Sequence, residues 1–279
     1  MPAIRTVTLP DGTPVPALGQ GTWRMGEDRS RRADEVRALR LGLDLGMTLV
    51  DTAEMYGSGG AEEVVGEAID GRRDAVFLVS KVYPHNADRE GVRAACARSL
   101  ARLGVERLDL YLLHWRGDVP LSETLAGFRD LLEEGRIARF GVSNFDTEDM
   151  EELWGLPGGE ACATNQVLYN VTERGPEYDL LPALRARGVP MMAYSPVGQG
   201  SLPERALAGI AEKHGASPHR VALAFVLSRP GTIAIPKAVG EAHLRDNRAA
   251  LDLAFDDADR ATLDRLFPPP RRRTPLAMI

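Results

Sequence analysis

Residues 76–115 read VFLVSKVYPHNADREGVRAACARSLARLGVERLDLYLLHW, and this stretch decides how the chain folds. Its two ends, 76–82 and 109–114, are short apolar runs of the kind found in strands buried on both faces. Between them Val92, Cys96, Leu100 and Leu103 recur at helical spacing, and Gly104 stands where that helix should stop. Strand, helix and strand joined by short loops make a parallel crossover unit. Each strand also ends on a polar group, Lys81 in the first and His114 in the second.

The same unit repeats in both directions. Strands are predicted at 18–22, 48–52, 76–82, 109–114, 139–143, 163–167, 190–194 and 232–236. Their ends recur about every 30 residues, the span of a strand, a helix and two loops. Val36, Leu39, Leu43 and Met47 form one helical face, and Val64, Val65, Ala68 and Ile69 another, with Gly46 as a stop signal. Asp146 to Asp149 places acids in the first turn of a helix, and Ser217-Pro218 opens a further one, with Val221, Ala224, Phe225 and Leu227 facing inward. Before the first strand, 6–9 and 15–18 flank Asp11-Gly12, a hairpin signal. Eight alternations predict an α/β fold, a single (β/α)8 TIM barrel with a short N-terminal β-hairpin, occupying 1–279 as one domain. An open doubly wound sheet would announce a dinucleotide with Gly-x-Gly-x-x-Gly, whereas GSGGAEEVVG at 57–66 has the wrong spacing. The tail PPPRRRTPLAMI reads as irregular, its three arginines as a solvated turn.

Composition excludes several classes. The net charge of −6 argues against a nucleic-acid binder, whose footprint would be basic. Cys96 and Cys162 each sit in an apolar run and read as buried free thiols. The five histidines are scattered without metal-ligand spacing, so no metal is expected. The first residues lack an apolar signal core and no apolar run could span a bilayer, so a cytoplasmic protein with no membrane partner is expected.

The unusual polar and aromatic residues collect at one end of nearly every predicted strand. They are Thr22 and Trp23, Asp51, Lys81, His114 and Trp115, Ser143 and Asn144, Gln166, Tyr194 and Ser195, and Lys237. A lone strand-end carboxylate or lysine is ordinary capping, and a lone histidine is ordinarily a core residue. A ring of such groups at the C-terminal rim is where barrel enzymes place their sites. Tyr56 lies on a Gly-rich loop just past Asp51, within reach of that rim.

A phenol, an ammonium, a carboxylate and an imidazole together suit reduction of a carbonyl, which leaves an alkoxide to be protonated. A free tyrosine with pKa about 10 is a poor acid near neutrality. An ammonium at about 4 Å, at an effective dielectric of about 20, interacts with the phenolate by roughly 4 kcal/mol, worth up to about 3 pKa units before Asp51 cancels part of it. The expectation is that Lys81 makes Tyr56 a usable general acid while His114 polarises or orients the carbonyl oxygen. Ser143, Asn144 and Gln166 offer partners for a nicotinamide carboxamide, and Tyr194 a flat face for the ring. The loop from Val197 to Ser201 suits pyrophosphate, and Lys237 a ribose phosphate.

These segments resemble the aldo-keto reductases over nearly the whole chain. The matching runs are GQGTW at 19–23, DTAEMYG at 51–57, SKV at 80–82, DLYLLHW at 109–115, GVSNF at 141–145, NQV at 165–167, AYSPVGQG at 193–200 and IPKAVG at 235–240, with Asp246-Asn247 beyond. Through GQGTWRMGED, WGLPGGE and CATNQVLYN the chain is most similar to bacterial methylglyoxal-reducing members. The resemblance implies a catalytic tetrad of Asp51, Tyr56, Lys81 and His114, with NADP(H) as cofactor, NAD(H) as the alternative, and no metal. It implies cofactor contacts at Gly21, Thr22, Asp51, Ser143, Asn144, Gln166, Tyr194, Ser195, Pro196, Val197, Gly198, Gln199, Lys237, Ala238, Val239 and Asn247. Trp23, Tyr83, His114 and Trp115 would line the substrate cavity.

The chain departs from the family's pattern in places. His243 takes the place of a common phosphate-gripping arginine, Ala238 that of a common serine, and Tyr83 that of a frequent tryptophan. The tail is short beside the long C-terminal loops of some members, which predicts a less enclosed pocket open to small polar carbonyls. The activity implied is NADPH-dependent reduction of small aldehydes and ketones by a monomer. A regulatory cofactor-binding subunit of the same fold is the alternative, and a metal-dependent barrel hydrolase lacks its ligand cluster.

Overall fold

The structure is a computed structural model that describes residues 4–279. Strands β1 (Thr6–Thr8) and β2 (Pro14–Pro16) form the hairpin. Eight further strands follow: β3 (Gln20–Gly21), β4 (Leu49–Asp51), β5 (Phe77–Val82), β6 (Leu110–Leu113), β7 (Phe140–Ser143), β8 (Asn165–Leu168), β9 (Met191–Tyr194) and β10 (Thr232–Ala234). They alternate with α1 (Arg32–Asp44), α2 (Gly60–Ile69), α3 (Arg89–Leu103), α4 (Leu121–Glu133), α5 (Thr147–Gly155), α6 (Leu180–Ala186), α7 (Glu204–Lys213), α8 (Pro218–Leu227), α9 (Glu241–Ala249) and α10 (Asp257–Leu266).

The eight strands pair in parallel in the order β3 to β10. The first and last segments close on each other. Gly19 N–H donates to the Ala234 carbonyl at 2.9 Å, Ala234 N–H to Ala17 at 2.8 Å, and Gly21 N–H to Pro236 at 3.1 Å. This seam requires glycine, since a Cβ at position 19 would stand 2.6 Å from a Leu49 methyl and one at 21 would stand 2.7 Å from the Ile235 carbonyl oxygen. The result is the (β/α)8 barrel expected from the repeat.

The barrel is filled, not hollow, below the rim. Leu49, Val79, Leu110, Leu112, Met192 and Ile233 point inward, and Leu9 and Val15 from the hairpin cover them from the N-terminal end. Arg139 fastens that plug, donating to Asp11 at 2.5 Å and to the Thr13 hydroxyl at 2.6 Å. A larger apolar layer lies between the strands and the helices.

The first helical face is shorter than read, since α1 stops at Asp44 and leaves Met47 in the loop beyond Gly46; the other helix signals act as read. Gly104 ends α3 at φ 66°, Asp146 and Asp149 form a reciprocal capping box on α5, and Ser217 caps α8 through Arg220 N–H. The strands are shorter than expected, most of all the first, where 18–22 contracts to Gln20–Gly21 and a bridge at Leu18. The α8 helix is buried all round, not on one face, from Val221 to Leu227.

Candidate active site

Three neighbouring strands deliver the chemistry. Asp51 is the last residue of β4, Lys81 lies near the end of β5, and His114 follows β6. Tyr56 comes back over the rim on the loop after β4, where Gly57 at φ 57° and Gly59 at φ 94° make the sharp turn into α2. Lys81 Nζ donates to Asp51 Oδ2 at 2.7 Å, to the Thr52 carbonyl at 2.9 Å and to the Tyr56 hydroxyl oxygen at 3.2 Å. All three ammonium hydrogens are thus committed, and the group is fully buried. Because the phenol oxygen accepts from Lys81, its own proton is free to point into the cavity.

Burial dominates the electrostatics. It pushes the Tyr56 phenol above its ordinary range, outweighing the lowering by Lys81. This corrects the expectation of a phenol made more acidic at rest: Tyr56 is held as the protonated acid, and Lys81 stands ready for the phenolate. Burial opposes the charge on Lys81, but Asp51 and Tyr56 overcome it and the ammonium is retained. Burial likewise raises the Asp51 carboxyl against the pull of Lys81 and Gln166. His114 is pushed well below the ordinary imidazole range, first by burial and then by Lys81, so the ring is neutral. Its Nδ1 has no hydrogen-bond partner among the described residues.

A cavity of about 520 Å³ opens at this rim, a volume suited to a small-molecule site. Its walls include Asp51, Tyr56 and His114, with Lys81 packed behind them. Of the predicted cofactor residues, Gly21, Thr22, Ser143, Asn144, Gln166, Tyr194, Ser195, Pro196, Val197, Gln199 and Lys237 line it. Gly198, Ala238, Val239 and Asn247 do not line it; they belong to the adjoining loops and α9. Trp23 and Trp115 line the mouth, whereas Tyr83 stands behind Trp115, ring centroids 5.8 Å apart.

Two predicted carboxamide partners are already engaged. Asn144, at φ 59°, donates to the His114 carbonyl at 3.1 Å and accepts from the Tyr194 hydroxyl at 2.9 Å, tying three strand ends together. Gln166 donates through Nε2 to Asp51 Oδ1 at 2.8 Å and contacts Met192 Sδ at 2.9 Å. Lys237 is half-buried and, unlike Lys81 and Lys213, has no carboxylate partner among the described residues. His243 is exposed and away from the cavity walls.

The cavity has walls that sequence reasoning missed: Arg24, Met55, Ile235, Met278 and Ile279. The first three adjoin motif residues and were reachable from them. Met278 and Ile279 carry no local signal, since only tertiary folding brings the tail to the rim. Arg273 brings it there, pairing with Asp146 and Asp179, each at 3.2 Å, and with Glu148. The three arginines are exposed, as a solvated turn implies; Arg273 in addition pairs with carboxylates of other segments, and the tail supplies Met278 and Ile279 as a lip to the pocket.

No three His, Cys, Asp or Glu side chains converge to hold a metal ion among the described residues, and no helix there is long and apolar enough to cross a membrane.

Comparison with known proteins agrees with this geometry. The chain is 52% identical over 271 residues to methylglyoxal reductase YeaE of Escherichia coli K12, covering 95% of each. It is 32% identical to glyoxal reductase of Bacillus subtilis, covering 94% of this chain and 92% of that one. A crystal structure of an aldo/keto reductase from Klebsiella pneumoniae in complex with NADP and acetate superposes with a TM-score of 0.96 at 50% identity, covering 99% of this chain and 100% of that one. The aldo/keto reductase family model matches residues 17–267, and the chain belongs to that family.

Proposed function

We propose that the protein reduces small aldehydes and ketones, methylglyoxal-type dicarbonyls among them, to alcohols with NADPH. The observation that carries this reading is the buried Lys81 ammonium donating to the Tyr56 hydroxyl beside a cavity. When bound, the reduced nicotinamide supplies a hydride to the carbonyl carbon. Tyr56 gives its proton to the carbonyl oxygen, and Lys81 donates to the phenolate that remains. Asp51 holds Lys81 charged although both side chains are buried. His114, neutral and at the cavity wall, orients the carbonyl oxygen. A solvent proton then restores the phenol.

The residues present fit the dinucleotide. Tyr194 lines the cavity, and among the described residues the Gln166 amide oxygen has no donor and Lys237 no carboxylate partner, which suits the latter to a ribose phosphate. An aldo-keto reductase from Klebsiella pneumoniae solved in complex with NADPH, 50% identical to this chain, supports NADPH over NADH, as the E. coli relative's name supports methylglyoxal. The reading includes a single domain, a monomer and a cytoplasmic setting, the last supported by two buried free cysteines.

Purified protein with a panel of small carbonyls and each dinucleotide tests it. Oxidation of NADPH by methylglyoxal, faster than that of NADH, is expected. Absence of NADPH oxidation across the panel contradicts the proposal.

A further inference from the structure

The hydrogen bond from Gln166 to Asp51 crosses the barrel. In the order β3 to β10, β4 and β8 lie four strands apart, on opposite sides of the ring. Their side chains meet only because both point toward the axis at the rim. The side chain of Gln166 is buried, and its Nε2 stands 2.8 Å from Asp51 Oδ1 and 2.9 Å from Met192 Sδ. Turning the amide over would put its oxygen against the carboxylate, so the donor side must face Asp51. Asp51 is therefore held from both sides, by Gln166 on Oδ1 and by Lys81 on Oδ2.

We propose that Gln166 is a positioning residue for proton transfer, tuning Tyr56 through Asp51 and Lys81. This inference rests on the reductase reading given above. The titratable groups around the Tyr56 phenol are Asp51 from β4, Lys81 from β5, His114 after β6 and Tyr194 of β9. Of these, Asp51 is the anion whose field opposes ionisation of the phenol. The Gln166 N–H offsets part of that negative charge. Without it, Asp51 binds the Lys81 proton more strongly and bears harder on the phenolate. Tyr56 then becomes a weaker acid that stays protonated to higher pH.

The test uses Gln166→Leu and, as a second variant keeping the length of the side chain without the donor, Gln166→Met. Two quantities are measured: the pH profile of kcat for methylglyoxal reduction at saturating NADPH, and NADPH affinity by quenching of protein fluorescence. The alkaline limb of kcat is expected to move up by about half a pH unit, with turnover near neutrality down about threefold. Affinity falls as well, from loss of the amide oxygen. A residue that only holds the cofactor would weaken binding and leave the limb at saturation where it was, and that result overturns the proposal. In that case the parent still reduces methylglyoxal and still shows its limb. A parent without either overturns the reductase reading too, so the two failures are told apart.

Discussion

Asp51 Oδ2 lies 2.7 Å from Lys81 Nζ, and both side chains are buried, Asp51 in the cavity wall and Lys81 behind it. Such a pair does little for stability by itself, because removing two charges from water offsets most of their attraction. Its value is positional. The carboxylate keeps the ammonium charged, and the ammonium's remaining hydrogens fix it between the Thr52 carbonyl and the Tyr56 hydroxyl. The phenol is left with one direction for its proton.

Removing one partner should therefore hurt more than removing both. Lys81→Met leaves a buried carboxylate without its cation and is expected to lower stability by about 3–5 kcal/mol. The double variant Asp51→Asn/Lys81→Met should recover much of that loss. Neither should recover turnover. Urea unfolding read beside NADPH oxidation checks both statements, and a double variant no more stable than Lys81→Met would refute the stability argument.

His114 gives a pH prediction of defined sign. Burial holds its folded-state pKa well below 6.5, so below that pH the unfolded chain binds a proton that the folded chain does not. Its contribution to stability is in place above pH 6.5 and is lost as pH falls, by up to about 1.4 kcal/mol per unit, until the folded ring also protonates. His114→Gln should be less sensitive to acid over this window in thermal melts from pH 7 to about 5. The ring should remain neutral by NMR at pH 6, so turnover should show no limb from His114 near 6.5.

Arg273 should matter more to substrate than to the fold. Its partners Asp146, Glu148 and Asp179 are surface groups, and such solvent-screened pairs contribute little to stability. Arg273→Ala should shift the melting temperature little but release Met278 and Ile279 from the cavity lip. The expected result is a KM for small carbonyls raised by up to about fivefold, with kcat retained. A large fall in kcat with unchanged KM would place the tail elsewhere in the mechanism.

The repeat of strands and helices was legible because parallel strands buried on both faces have a continuous apolar signature, and each carries its polar group at the same end. Lys81 and His114 announce themselves as such strand-end groups. The balance of forces on Tyr56 was not legible, since the depth of burial that outweighs Lys81 depends on the whole rim. Contacts across the ring were hidden for the same reason. Position 166 is far from 51 in the chain, and neither residue's neighbours indicate that they meet. The tail's place at the rim was not legible because the carboxylates that pair with Arg273, at 146, 148 and 179, are distant from it in sequence.

The central claim is that the Tyr56 hydroxyl gives the proton, and its most direct test is methylglyoxal reduction by Tyr56→Phe at saturating NADPH, with cofactor binding measured on the same sample. Turnover is predicted to fall about 10²- to 10⁴-fold while NADPH binds as to the parent. Turnover close to the parent's, with binding intact, would contradict it.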